Sequence, residues 1–338
     1  MKRNSLENLI RPGAGSIIIA LMVGIAAWIL GYTFFPVNDW DAGKIALFAR
    51  WLNSFIPAHS AFSHILGLIF TLFIGFFLVE FNERFSFIRR RSVLPLFIFV
   101  LLMACNVNAH EFSFGQLSCI FMLAALWQLF SIYQERNPVK QSFNIGFFLS
   151  IGSFFAIAMS FFLPVFWLGM ARMNSFSLRG FLASIMGFVS PLAIFFGIVY
   201  LQSDTAYYIS AFVEQLQKEV NLFGHGLFFL VFLGSIAFCS LVAIVNMLNN
   251  AFSDRIKVSR ILGFLASCFI FSMLIMLFFF DENVSVFSIV AIFSSFLLSH
   301  YFSLRESLFT QILFWLLVAV SVVVFFYSMF YSYVGKFF

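Results

Sequence analysis

Apolar residues in this chain come in long runs rather than in stripes, and polar residues gather in short clusters between them. Runs at about 14–35, 62–81, 93–109, 114–133, 180–201, 222–248, 260–280, 284–303 and 307–330 are each close to the roughly 20 residues a helix needs to cross a hydrocarbon core of about 30 Å. The stretch from Phe143 to Met173 is too long for one ordinary crossing and short for two. It reads as two shortened helices, 143–155 and 156–172, with Pro164 breaking the second. The pattern therefore predicts an all-α integral membrane bundle of about eleven transmembrane helices in one domain, 1–338, with no soluble domain and no internal repeat. The first run, Ile17 to Phe35, is too long for a signal core and is followed by no small-residue cleavage site, so it reads as a retained span.

Two polar stretches break this pattern with helical periodicity. From Ala42 to Ile56, Ile45, Leu47, Phe48, Trp51, Leu52 and Phe55 fall on one side at 100° per residue, with Ala46, Ala49, Arg50 and Asn53 opposite. Residues 207–220 repeat the design, with Ile209, Phe212, Val213, Leu216 and Val220 as the stripe. Both predict interfacial helices lying in the headgroup plane on the same outer surface.

Composition places the chain in the bilayer. Of its 338 residues 62% are hydrophobic and 10% charged, against about a quarter charged in a soluble domain. The net charge of +5 would suggest an anionic partner in a soluble protein, but its distribution across the membrane accounts for it, so no nucleic-acid partner is expected. If 143–173 enters and returns, only Lys44, Arg50, Lys218 and Lys336 lie on the side opposite the N-terminus, which leaves 15 of the 19 cations on the near side. A single crossing would divide them 11 to 8. The positive-inside rule thus favours a return, with a cytoplasmic N-terminus and an external C-terminus. Cys105, Cys119, Cys239 and Cys268 each fall within an apolar run and read as small buried hydrophobes, without disulfide or metal spacing.

The densest chemistry lies in Asn38-Asp39-Trp40-Asp41-Ala42-Gly43-Lys44, in the first outer loop. Two carboxylates at i and i+2 can converge on a divalent metal or leave one free as a general base, although no resident metal or cofactor is predicted. Asp41 serves equally as the N-cap of the interfacial helix, and Trp40 as an interfacial belt aromatic. Arg50 either holds a phosphate with its planar fork of donors or snorkels to headgroups, and Lys44 ranks below it because it lies on the apolar side. His110 with Glu111, and Asp281 with Glu282, read as water-facing turn residues. His64, His225 and His300 read as hydrogen-bonded residues near span ends. No charged residue occurs well inside a span, which argues against an ion-coupled transporter or proton pump.

Two resemblances add to this reading. Arg3-Asn4-Ser5-Leu6, the Arg91-Ser92-Val93-Leu94-Pro95 entry to the third span, and Phe143-Asn144-Ile145-Gly146-Phe147 with the run to Pro164 resemble an uncharacterised family of bacterial polytopic inner-membrane proteins. The order of one span, an acidic outer loop, a juxtamembrane helix and a bundle with shortened helices resembles the membrane glycosyltransferases of the GT-C type. That second resemblance implies catalysis by Asp39 or Asp41, with Arg50, Lys44 and Trp40 binding substrate. It also implies a polyprenyl-phosphate-linked sugar as donor, besides contact with membrane lipids. The alternative is a non-enzymatic lipid or glycan translocation factor, or a scaffold of an envelope complex.

Overall fold

A computed structural model describes residues 14–34, 60–86, 88, 92–106, 109–201, 227–249, 255–278, 283–304 and 307–334. These form eleven α-helices: α1 (Ala14–Phe34), α2 (Ala61–Phe85), α3 (Leu94–Cys105), α4 (Phe114–Ser131), α5 (Val139–Ser153), α6 (Phe162–Arg172), α7 (Leu178–Leu201), α8 (Leu227–Asn249), α9 (Ile256–Phe278), α10 (Asn283–Leu304) and α11 (Leu308–Val334). A 3₁₀ turn, Ile157–Phe161, precedes α6, and no strand occurs among the described residues. Seven of the helices, α1, α2 and α7 to α11, are long and apolar enough to cross a membrane. Large apolar side chains such as Leu182, Met186, Ile194 and Ile198 on α7 are exposed along them, a surface suited to lipid rather than water. The chain is a multi-pass membrane protein.

Two helices make its centre. Every residue of α3 is buried, and α10 is buried over 94% of its apolar stretch. They pack on each other; α1, α2 and α11 also flank α3, and α4, α8 and α9 flank α10. Aromatic rings fill the gaps: Phe81 of α2 meets Trp127, Phe130 and Phe296 at centroid distances of 5.4, 5.8 and 5.7 Å. Several hydroxyls of α10 bond along their own helix, as Ser288 to the Val284 carbonyl and Ser294 to the Ala291 carbonyl, and so keep an acceptor inside the bundle.

The third span is shorter than its apolar run implies. The run extends over 93–109, but the helix ends at Cys105, and 12 residues reach only about 18 Å. A short helix is tolerated because protein covers both ends, so the adjoining backbone bonds to neighbours instead of lipid. At its start the Ser92 hydroxyl accepts from the Leu94 amide at 3.2 Å, and Pro95 occupies the first turn, where no intrahelical amide bond is lost.

The 143–173 region folds back on itself. The Gln134 amide donates to the Met173 carbonyl at 3.0 Å, which places the turn before α5 and the turn after α6 side by side. Both pass through a left-handed residue, Gln134 at φ 63° and Asn174 at φ 56°. Near the same end the Ser142 hydroxyl reaches the Met170 sulfur at 3.4 Å. The boundaries differ from the sequence expectation: α5 begins at Val139, and Pro164 is the third residue of α6 rather than a break in it. Proline is accepted there because the first turn has unbonded amides in any case.

The contact between α5 and α7 is held by small residues. Ser142, Gly146 and Ser150 recur every four residues on α5, facing Gly180, Ser184 and Gly187 of α7. A Cβ on Gly146 would overlap the Ser184 carbonyl, and one on Gly187 the Phe143 carbonyl. The two backbones touch directly, the usual basis of close helix association in lipid. The interfacial helices expected at 42–56 and 207–220 lie outside the described residues.

Candidate functional site

One turn of the bundle carries an unusual density of polar groups. It joins α3 to α4 and folds inward between α1 and α2. His110 is 1% exposed, contrary to the expectation of a water-facing pair. Its ring lies on the indole of Trp28, with centroids 4.5 Å apart and planes 20° from parallel. The Trp28 Nε1–H donates to the His110 carbonyl at 2.7 Å.

Two glycines make room for this insertion. A Cβ on Gly31 of α1 would overlap the His110 ring, and one on Gly67 of α2 would lie 2.6 Å from the His110 carbonyl oxygen and 2.9 Å from the Glu111 carbonyl carbon. The turn therefore sits where only hydrogen side chains leave space.

Its backbone and the neighbouring polar groups bond to the flanking helices. The Gln116 amide group lies within 3.2 Å of the Gly67 carbonyl, 3.2 Å of the Thr71 hydroxyl and 3.4 Å of the Ala109 carbonyl. The Phe112 amide donates to the Ser63 carbonyl at 3.0 Å, and Ser63 is tied by its own amide to the N-cap hydroxyl of Ser60 at 3.1 Å. Non-helical backbone buried among helices survives only when bonded in this way.

The titratable groups of the site divide by environment. His110 Nε2 lies 2.8 Å from the Ala104 carbonyl, which can only accept, so Nε2 carries the hydrogen. Burial pushes this imidazole down to about 4, against the contrary pull of the Ala104 bond and with a further push from nearby His64. It is neutral at pH 7. His64 Nδ1 lies 3.9 Å from Glu111 Oε1, with side chains 17% and 28% exposed, and its ring meets the edge of Tyr32 at 5.2 Å. This half-buried imidazole and carboxylate can exchange or hold a proton, whereas the deeper His110 serves as a structural plug.

The sequence-selected residues Asp39, Trp40, Asp41, Lys44 and Arg50 lie outside the described residues. Their loop is anchored at this site by its two ends: α1 ends at Phe34, two residues past Tyr32, and α2 starts after Ser60, four residues before His64. Gln116, Trp28, Thr71 and the two glycines escaped the sequence reading. A glutamine inside an apolar run was the available signal, since a buried amide in lipid needs partners on neighbouring helices. Asp281 and His225 also lie outside the described residues, while His300 is buried in α10. Among the described residues no three of His, Cys, Asp and Glu gather as a metal site would require.

The chain matches none of the curated proteins with which it was compared. A family described as a family of unknown function, DUF6427, matches residues 44–334. That span takes in most of the chain, from the first interhelical loop to the last helix, and the chain belongs to this family.

Proposed function

We propose that the chain transfers a glycosyl group from a polyprenyl-phosphate-linked sugar to an acceptor at the end of the bundle that carries His110. Charge asymmetry makes that end the outer face of a bacterial inner membrane, with the N-terminus cytoplasmic and the C-terminus external. Asp39, or failing it Asp41, is the base. Arg50 holds the donor phosphate, with Lys44 and Trp40 beside it.

The observation that supports this reading is the coincidence of the acidic loop's anchors with the polar turn. Tyr32 near the end of α1 touches His64 near the start of α2, and His64 faces Glu111. Residues 35–59 are thus tethered at the one described place in the bundle where an imidazole and a carboxylate are paired and half-exposed. A packed turn bearing polar groups, at the helix ends that flank a segment rich in acids and cations, suits a lipid-linked substrate at the membrane surface.

The alternative, a non-enzymatic translocation factor or envelope scaffold, draws support from the interior. α3 and α10 are packed with Phe, Leu and Ile on all sides, as a structural bundle requires. Substitution by Asn separates the two readings. Asp39→Asn should abolish activity or cellular complementation at normal expression, since proton transfer by a positioned carboxylate contributes roughly 10²–10⁴ in rate. Asp41→Asn should be tolerated at least in part, because Asn caps a helix as well as Asp. Full complementation by both variants would remove the transferase reading and leave the scaffold. Mass spectrometry of lipid bound to the purified protein would identify the donor.

A further inference from the structure

The end of the bundle opposite His110 gathers cations around aromatic rings. Arg84, in the last turn of α2, places its guanidinium 4.6 Å from the centre of the Trp127 ring. Lys257 and Arg260, three residues apart at the start of α9, lie 5.6 and 5.8 Å from the same ring, Tyr133. Lys257 is also 5.9 Å from Phe85, whose ring meets Trp127 at 5.4 Å. One turn further along α9, the guanidinium of Arg172 crosses Gly263, 2.7 Å from where a Cβ would stand.

Like charges on neighbouring turns repel, and the acids nearest to Arg84 in sequence, Glu80 and Glu83 on α2, form no ion pair with these cations among the described residues. Among the described residues none of these four cations is ion-paired with a carboxylate. Aromatic faces offset part of the cost. Arg260 is half-buried, and its Nη1 is withdrawn from solvent with no acceptor among the described residues. A poorly hydrated guanidinium with an unused donor gains more from an incoming anion than a freely solvated one. The first turn of α9 adds its own unbonded amides and the positive end of the helix.

We infer that Arg84, Lys257 and Arg260, arranged around Trp127 and Tyr133, form a binding site for the phosphate of an anionic phospholipid headgroup. The lipid source follows from position: the cations sit at the ends of α2 and α9, helices long and apolar enough to span the bilayer, at the level where headgroups lie. Tyr133 and Trp127 supply the amphipathic belt that suits this depth. The site is independent of any activity at the opposite end.

Native mass spectrometry tests it, with full-length protein in detergent containing equal amounts of phosphatidylglycerol and phosphatidylcholine. The wild type should retain phosphatidylglycerol preferentially. Lys257→Gln and Arg84→Gln should each lower that retention about fivefold, and Arg260→Met by more, while phosphatidylcholine adducts stay unchanged. Should Arg260→Met fail to fold, the two Gln variants, of which Arg84→Gln is on an exposed side chain, carry the test alone. Equal retention of both lipids, or a preference that survives all three substitutions, overturns the site. Arg260-dependent binding of inorganic phosphate that abolishes the lipid preference would overturn the headgroup as its source.

Discussion

The Trp28 indole both stacks on the His110 ring and donates to the His110 carbonyl, so a single side chain of α1 fixes the α3–α4 turn through its ring and its backbone. Such a double hold fits a turn that must stay seated between two helices without the helical bonds that normally satisfy a chain in lipid.

Stability should fall in acid through His110. An ordinary histidine titrates near 6.5, but burial holds this one at about 4. Between those values the unfolded chain takes up a proton that the folded one refuses, so folding stability is fully present above pH 6.5 and declines as pH drops toward 4. The loss amounts to about 3 kcal/mol. Thermal unfolding in detergent across that window checks it, and His110→Gln should remove this slope whatever it does to stability at pH 7.

Gly67→Ala should be poorly tolerated, because the methyl group meets the backbone of His110 and Glu111, which cannot turn aside. Overpacking of this kind costs about 1–3 kcal/mol. Gly31→Ala faces the His110 ring itself and should unseat the turn. Gly197→Ala, which meets nothing within 4 Å, should be neutral or stabilising by about 0.5–1 kcal/mol. Melting temperatures of the three variants would rank them; equal tolerance at 31, 67 and 197 would contradict the inserted turn.

Topology reporters should read the same side at Asn137 and after Ser175, since the Gln134 to Met173 hydrogen bond joins those turns. The positive-inside rule, applied to Arg136, Lys140, Arg172 and Arg179, predicts a cytoplasmic reading at both. A reporter after Lys336 should read external. Opposite readings at 137 and 175 would mean that α5 and α6 do not form a returning hairpin.

If Arg50 holds a donor phosphate, Arg50→Lys should impair function more than Lys44→Arg, because only the guanidinium offers a bidentate fork. Complementation assays with both variants measure this. Equal tolerance would leave Arg50 as a headgroup contact.

The membrane class, the helical class and the return of 143–173 were legible in the sequence. Each depends on quantities summed along the chain: hydropathy over a span, and the count of Lys and Arg on either side of it. Solvent partition and charge bias act on a segment whatever packs beside it, so no neighbour needs to be known. The identity of the site floor was not legible in that way. His110 and Glu111 are adjacent in a short connection, which ordinarily faces water. The burial of His110 is set by Gly31, Gly67 and Trp28, which come from two other helices and have no local sequence relation to the turn, together with Gln116 of α4. The length of α3 was hidden for the same reason, because an apolar residue reads alike whether it continues a helix or lines a covered turn. Only the tertiary arrangement decides which glycines are approached, which backbone groups find side-chain partners, and which cations share one aromatic ring.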